Sequence, residues 1–282
     1  MENTGLKRHA NEIRKGILTG VHAAKSGHPG GSLSATEILT YLYFEEMHID
    51  PANPRDPGRD RLVLSKGHAA PGLYATLAER GFFPKGDLAT LRHVGSLLQG
   101  HPNMNDTPGV DMSTGSLGQG VSVAVGMALC AQMFGETWRT YALLGDGEIE
   151  EGQVWEAAML AGNQGLDNLC VVVDNNNLQI DGPITEVNPA CPIDGKFRAF
   201  NLHAVEVADG SDFDQLRAAF EEASTTKGMP TAVVCKTVKG KGVSYMEDQV
   251  GWHGKAPNDE QYERAMTELR KAGEGLWATC GR

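Results

Sequence analysis

Two short motifs thirty positions apart constrain this chain most: Gly145-Asp146-Gly147, and Asn176 inside Asp174-Asn175-Asn176-Asn177. Each follows an apolar run, Tyr141-Ala142-Leu143-Leu144 and Leu169-Cys170-Val171-Val172-Val173. Such runs, bounded by turn residues, read as buried strands. Open α/β sheets bind phosphates just beyond their strand ends. Glycines on both sides of Asp146 allow a sharp turn and close approach of backbone to an anion. A helical stretch from about Glu148 would add free N–H groups and a positive dipole end. The pair therefore reads as one divided site for a magnesium-bound diphosphate. Magnesium takes hard oxygen ligands, usually one or two carboxylates plus substrate phosphates. Asp146 would supply a carboxylate, Asn176 an amide oxygen and Leu178 a backbone carbonyl. The competing reading of either motif alone is an ordinary turn, since Gly, Asp and Asn are all turn formers.

The rest of the chain reads as α/β, a mostly parallel sheet with helices on both faces. Leu6, Ala10, Ile13, Ile17 and Val21 recur at helical spacing, and the helix should end before Ser26-Gly27. Ser34-Ala35-Thr36-Glu37 has the pattern of a capping box opening a second helix. Strands are expected at 61–64, 138–144, 169–173, 202–207 and 231–236, with helices at about 69–80, 118–134, 212–226 and beyond Pro257. The stretch 240–254 holds four glycines and little periodicity, and is expected to be a long functional loop over the site. No linker or repeat divides the sequence, so residues 1–282 read as a single domain.

The formal net charge of −11 argues against nucleic acid or an anionic membrane as partner. No apolar run approaches the roughly 18 residues of a membrane span, and the polar start lacks a signal core. Cytoplasm is the expected location. Five cysteines without C-x-x-C spacing read as small buried hydrophobes in a reducing compartment.

Of nine histidines, four are embedded in glycine or proline: His28, His68, His101 and His253. Such settings place a side chain at a loop tip, where ligand contact concentrates. The other five read as surface or hydrogen-bonded residues.

Gly-Asp-Gly followed some thirty residues later by Asn-Asn resembles the thiamine diphosphate fingerprint. The resemblance extends to one family. Ser26-Gly27-His28-Pro29-Gly30-Gly31-Ser32, Leu64-Ser65-Lys66-Gly67-His68, Gly100-His101-Pro102, Thr114-Gly115-Ser116-Leu117-Gly118-Gln119-Gly120 and Lys196-Phe197-Arg198-Ala199-Phe200 resemble transketolase segments, in transketolase order. About residues 10–255 are covered, and the match is to the N-terminal, diphosphate-binding part of a transketolase.

The resemblance implies a thiamine diphosphate-binding fold, with thiamine diphosphate and Mg2+ as cofactors. It implies transfer of a two-carbon ketol unit from a ketose phosphate to an aldose phosphate, with the thiazolium as electron sink. By the same resemblance His28, His101 and His253 would face donor oxygens, and His253 would also touch the cofactor. His68 would lie nearer the diphosphate. Gly115, Ser116 and Leu117 would hold the aminopyrimidine side, Gly147 would donate its N–H to a phosphate, and Asn176 would serve both metal and cofactor. Glu151 falls where the family has a glutamate at the subunit interface.

In transketolases the glutamate that activates the cofactor sits in a second, pyrimidine-binding domain. Here only one helix is expected beyond His253. The chain is therefore read as one half of a split transketolase, inactive alone and joining a pyrimidine-domain subunit in a two-plus-two tetramer. Ser116 stands where proline is common, Asn201-Leu202 where Gly-Trp is common, and Ser211 where histidine often occurs. Two alternatives stand beside this reading. One is the half-site subunit of another such enzyme, a 2-oxo acid dehydrogenase α-type chain or a different ketol transferase. The other is a non-catalytic module that binds the diphosphate.

Overall fold

Along each strand, successive side chains point to opposite faces, and here both faces are apolar. Leu62, Leu64, Tyr141, Leu143, Cys170, Val172, Val233 and Cys235 enter one core. Val63, Ala142, Leu144, Leu169, Val171, Val173, Ala232 and Val234 enter the other. A sheet buried on both sides is the expected partner of parallel strands, whose crossovers put helices on each face. The computed structural model, which describes residues 1–278, shows β1 (Arg61–Leu64), β2 (Thr140–Gly145), β3 (Leu169–Asn175), β4 (His203–Val207) and β5 (Thr231–Lys236) in the order β1-β2-β3-β5-β4. Every pairing is parallel.

The first face carries α1 (Asn3–Ala24), α2 (Pro29–Ser34), α3 (Thr36–Tyr41) and α4 (Ala70–Arg80). The second carries α5 (Gln119–Phe134) and α6 (Gly152–Gln164). A short turn, α7 (Ile184–Val187), precedes α8 (Ile193–Ala199), which joins the second face. The first face is completed by α9 (Phe213–Thr225) and α10 (Asp259–Ala278). The expected stripe of α1, from Leu6 to Val21, is buried along its length, and Lys25 closes the helix in the left-handed region at φ 50°.

Three local expectations give way to long-range partners. Ser34 ends α2 instead of opening a helix, and Ala35 separates it from α3 with no side-chain cap. The Ser34 hydroxyl donates to Asp174, while both Glu37 oxygens accept from Arg14 Nη2 at 2.7 Å. With both side chains held elsewhere, no capping box forms. Nor does a helix start at Glu148: a single 3-10 turn spans Glu148–Glu150, and α6 begins at Gly152. Finally, 240–254 is packed rather than open. Val243 and Met246 are fully buried, Trp252 nearly so, and Gly240 N–H donates to the Gly30 carbonyl at 3.0 Å. Of the cysteines, Cys170 and Cys235 are buried as expected, but Cys130 and Cys191 are exposed; Cys280 lies outside the described residues.

Candidate active site

Four strands deliver their next residues to the same edge of the sheet: Ser65 to His68 after β1, Asp146 and Gly147 after β2, Asn176 to Leu178 after β3, and Thr237 to Lys239 after β5. Together they line a cleft of about 110 Å3 that holds Lys66, His68, Asp146, Asn176, Leu178, Lys239 and His253. The two halves of the divided motif do meet there. β2 and β3 are neighbours in register, with Gly145 opposite Asp174, and Asp146 accepts the Asn177 N–H.

Asn176 is oriented from beneath. Its Nδ2 donates to Asp174 Oδ2 at 3.2 Å, and its Oδ1 accepts the Leu178 N–H at 3.1 Å. Asp174 is fully buried and also accepts from Lys66, Ser34 and Thr237. Burial would raise its pKa, but the adjacent Lys66 charge and these hydrogen bonds hold it below the ordinary carboxylate range. Asp146, with less compensation, is pushed up to about 7 by burial and then by the Asp174 charge. Glu148 is buried as well, and its pKa is raised by burial; its carboxylate accepts the N–H groups of Gly118 and Gly145, both at 3.0 Å. Lys239 Nζ donates to the Leu178 carbonyl at 2.6 Å and to His253 Nδ1 at 2.9 Å. Burial brings this lysine down to about 8.

His28, His68 and His253 form a triangle, with ring centroids 5.2 to 5.6 Å apart. Burial depresses all three. His28 falls to about 4, helped by Arg92, and His253 to about 3, helped by Lys239. His68 is lowered furthest, with Lys66 as the next cause. The three rings are therefore neutral at pH 7, able both to donate and to accept. His28 Nδ1 is buried and has no partner. His101 stands apart: its ring packs on Gly115, where an added Cβ would lie 3.2 Å from it, and its carbonyl accepts from the Tyr74 hydroxyl at 2.9 Å. His101 is exposed as a whole, and the covered part of its ring, then Arg92, lowers its pKa.

The other site residues are spread around this centre. Leu117 reaches the cleft, whereas Gly115 and Ser116 line a separate 340 Å3 hollow beside α5. Glu151 is exposed at the N-cap of α6, beside Gly118. Gly147 lines the cleft, but its N–H goes to Asp146 Oδ1 at 2.9 Å rather than standing free for a phosphate.

Lys66, Lys239, Asp174 and Glu148 were not expected from the sequence. Lys66 sits inside a segment already singled out, between Ser65 and Gly67, and Lys239 immediately precedes the 240–254 segment. Lysines and acids are seldom buried unless paired, and only the fold supplies the partners.

The residues present suit a diphosphate and a hard cation in donor type. Asp146, Asn176 and Leu178 put a carboxylate, an amide and a carbonyl oxygen at one cleft, with glycine backbone at Gly31, Gly145 and Gly147. Among the described residues, no cluster of three or more His, Cys, Asp or Glu side chains forms a metal site, so any cation here would draw most of its ligands from backbone, amide and phosphate oxygens. No helix among the described residues is long and apolar enough to cross a membrane.

Residues 6–272 match the family described as transketolase, thiamine diphosphate binding domain. A 6-deoxy-6-sulfo-D-fructose transketolase subunit from a Clostridium species is 48% identical over 268 residues, covering 95% of this chain and 97% of the relative. An apulose-4-phosphate transketolase subunit from Phocaeicola vulgatus is 40% identical over 276 residues, covering 98% of each. The crystal structure of transketolase from Campylobacter jejuni superposes with a TM-score of 0.90 at 32% identity, covering 96% of this chain but 43% of that one. The chain thus spans less than half of a solved transketolase and nearly all of the two subunits. It belongs to the transketolase family, as a thiamine diphosphate-binding domain.

Proposed function

We propose that this chain is the diphosphate-binding subunit of a two-chain transketolase, moving a two-carbon ketol unit from a ketose to an aldose. The observation that carries the reading is the cluster of His28, His68 and His253 rings beside Asp146, Asn176 and Leu178 at one sheet edge. The four histidines stand in transketolase order, which argues against a dehydrogenase-type half-site, and their retention argues against a scaffold. Bound thiamine diphosphate supplies the nucleophile and electron sink; protein supplies orientation and proton handling. Asp146, Asn176 and the Leu178 carbonyl would hold Mg2+, the carbonyl giving up its hydrogen bond from Lys239, and Lys66 and Lys239 would offset the diphosphate charge. His28, through its unpartnered Nδ1, and His253 would hydrogen-bond donor hydroxyl and carbonyl oxygens. His101 would join them from the outer loop.

The relatives named as subunits, matched nearly end to end, support a partner that supplies the pyrimidine domain, most simply in a two-plus-two tetramer with Glu151 at the contact. Both of those relatives are named for ketoses that carry a strong anion, a sulfonate or a phosphate. The donor here is read as a ketose of that kind. The whole of 1–282 is read as one domain, working in the cytoplasm. The test is an affinity pull-down of the tagged chain from its native extract with thiamine diphosphate and Mg2+, followed by intact mass and a ketol-transfer assay. A stoichiometric second chain whose addition brings activity supports the reading. A homo-oligomer that binds the cofactor and gains no activity from any co-purified chain would reject it.

A further inference from the structure

Arg92 stands just outside the cleft, between two of its loops. Its backbone is left-handed at φ 62°, pinned by its N–H to the Leu98 carbonyl at 2.8 Å. Nη1 donates to Ser26 Oγ at 2.6 Å. The rest of the group lies along Gly100: an added Cβ there would be 3.2 Å from Nε and 3.5 Å from Nη2. Nε is buried without a partner, and among the described residues no carboxylate forms an ion pair with Arg92. Ser26 lies two residues before His28, and Gly100 immediately precedes His101. One planar group therefore touches both histidine-bearing loops and keeps its charge uncompensated between them.

We propose that Arg92 is a positioning residue for ketol transfer, fixing the His28 and His101 loops at a set separation and presenting an unneutralised cation to both imidazoles. The inference rests on the transketolase reading of the site. With no carboxylate beside it, the Arg92 charge acts on what lies next to it, the Ser26 and Gly100 ends of the two histidine-bearing loops. Arg92 lies against the backbone beside His101 rather than lining the cleft. Arg92 lowers the pKa of both histidines, second only to burial. The other charged or titratable groups that bear on His28 are His101 and Lys239, with the His68 and His253 rings packed against it; the charge that bears on His101 is Arg92. Rings kept neutral in this way donate a proton more readily once they have taken one up, which suits groups that must return it within a cycle.

Arg92→Met and Arg92→Lys separate charge from shape, because lysine keeps the charge and loses the fork. Histidine ring titrations are followed by NMR on the isolated chain, with His28 and His101 assigned by single replacements. The expected result is that both midpoints rise in Arg92→Met and stay low in Arg92→Lys. In the reconstituted enzyme both variants should lose roughly 10- to 100-fold in donor kcat/KM through misplacement of the loops, with thiamine diphosphate affinity within about threefold of wild type. Unchanged midpoints in a folded Arg92→Met chain, or donor kcat/KM within about twofold of wild type, overturns the proposal. Absence of ketol transfer by the wild-type assembly counts instead against the transketolase reading, and the titrations on the chain alone still decide what Arg92 does to the rings.

Discussion

Replacing Lys66 with methionine tests whether the site and the core share one support. The Lys66–Asp174 pair is almost completely buried, with side chains 2% and 0% exposed. Removing one partner from such a pair strands a charge and typically costs about 3–5 kcal/mol, against about 0–1 kcal/mol for an exposed pair. Asp174 keeps three neutral donors, from Ser34, Thr237 and Asn176. Protonation also lets it shed its charge once Lys66 no longer holds its pKa down. Both effects place the expected loss near the lower bound, about 3 kcal/mol, a large share of the roughly 5–15 kcal/mol that keeps a domain folded. The double variant Lys66→Met/Asp174→Asn has no buried charge left and should recover about half of the loss, a coupling that a double-mutant cycle reads directly. Urea denaturation followed by circular dichroism measures all of these variants, with an unchanged m-value as the check that midpoint shifts report stability. A single-variant loss below about 1 kcal/mol, or strictly additive effects, would show that the pair behaves like a surface contact and that the reasoning is wrong.

Asp146→Ala should weaken Mg2+-dependent thiamine diphosphate binding by at least about 100-fold, because the neighbouring carboxylates are already held, Asp174 by Lys66 and Glu148 by the Gly118 and Gly145 N–H groups; titration calorimetry returning wild-type affinity would remove the proposed metal site. On acidification from pH 6.5 to about 5 the chain should lose stability. His28, His68 and His253 have folded values far below 6.5, so the unfolded chain binds more protons in this window; Asp146, raised to about 7, opposes them by one proton. For these four groups the net uptake on unfolding grows from under about one proton at pH 6.5 to roughly two at pH 5, and a thermal midpoint that is flat or rises over this range refutes it. Gly126→Ala should stabilise by roughly 0.5–1 kcal/mol, since an added methyl on the exposed face of α5 meets nothing within 4 Å. Gly162→Ala should destabilise although it too is in a helix, because its Cβ would lie 1.9 Å from the Phe200 carbonyl oxygen; thermal melts giving the two changes the same sign would contradict this.

The strands were legible because a sheet buried on both faces leaves uninterrupted apolar runs, and turn residues mark where each run ends. β5 at Thr231–Lys236 coincides with its expected bounds for that reason. α1 was legible through its stripe. α5 was legible as a helix but not in its orientation: it is apolar almost all round, so no periodicity distinguishes the outward face that carries Cys130, Met133 and Phe134. The capping box at Ser34 failed because a local pattern of about 1 kcal/mol competes with buried partners, Asp174 and Arg14, that are distant in sequence. Lys66 and Lys239 were illegible for the same reason. Nothing in a lone lysine between small residues says that the fold will bury it against an aspartate or a carbonyl.

The size of the cleft bears on how the site works. Pockets that hold a small-molecule ligand measure about 300–1,000 Å3 and cover most of its surface, whereas this one measures about 110 Å3. A ligand of that size bound here must extend beyond these walls. Leu117 and Ile180 line it while remaining 36% and 63% exposed, apolar surface that gains only when something covers it. In the proposed assembly the second subunit supplies that cover, so the cofactor binds each chain weakly and the pair tightly. Linkage then makes the effect mutual: whatever factor the partner adds to cofactor affinity, the cofactor adds to partner affinity. On that proposal the buried Asp146, Asp174, Lys66 and Lys239 would already be gathered at the anion-binding end, and assembly would complete the site.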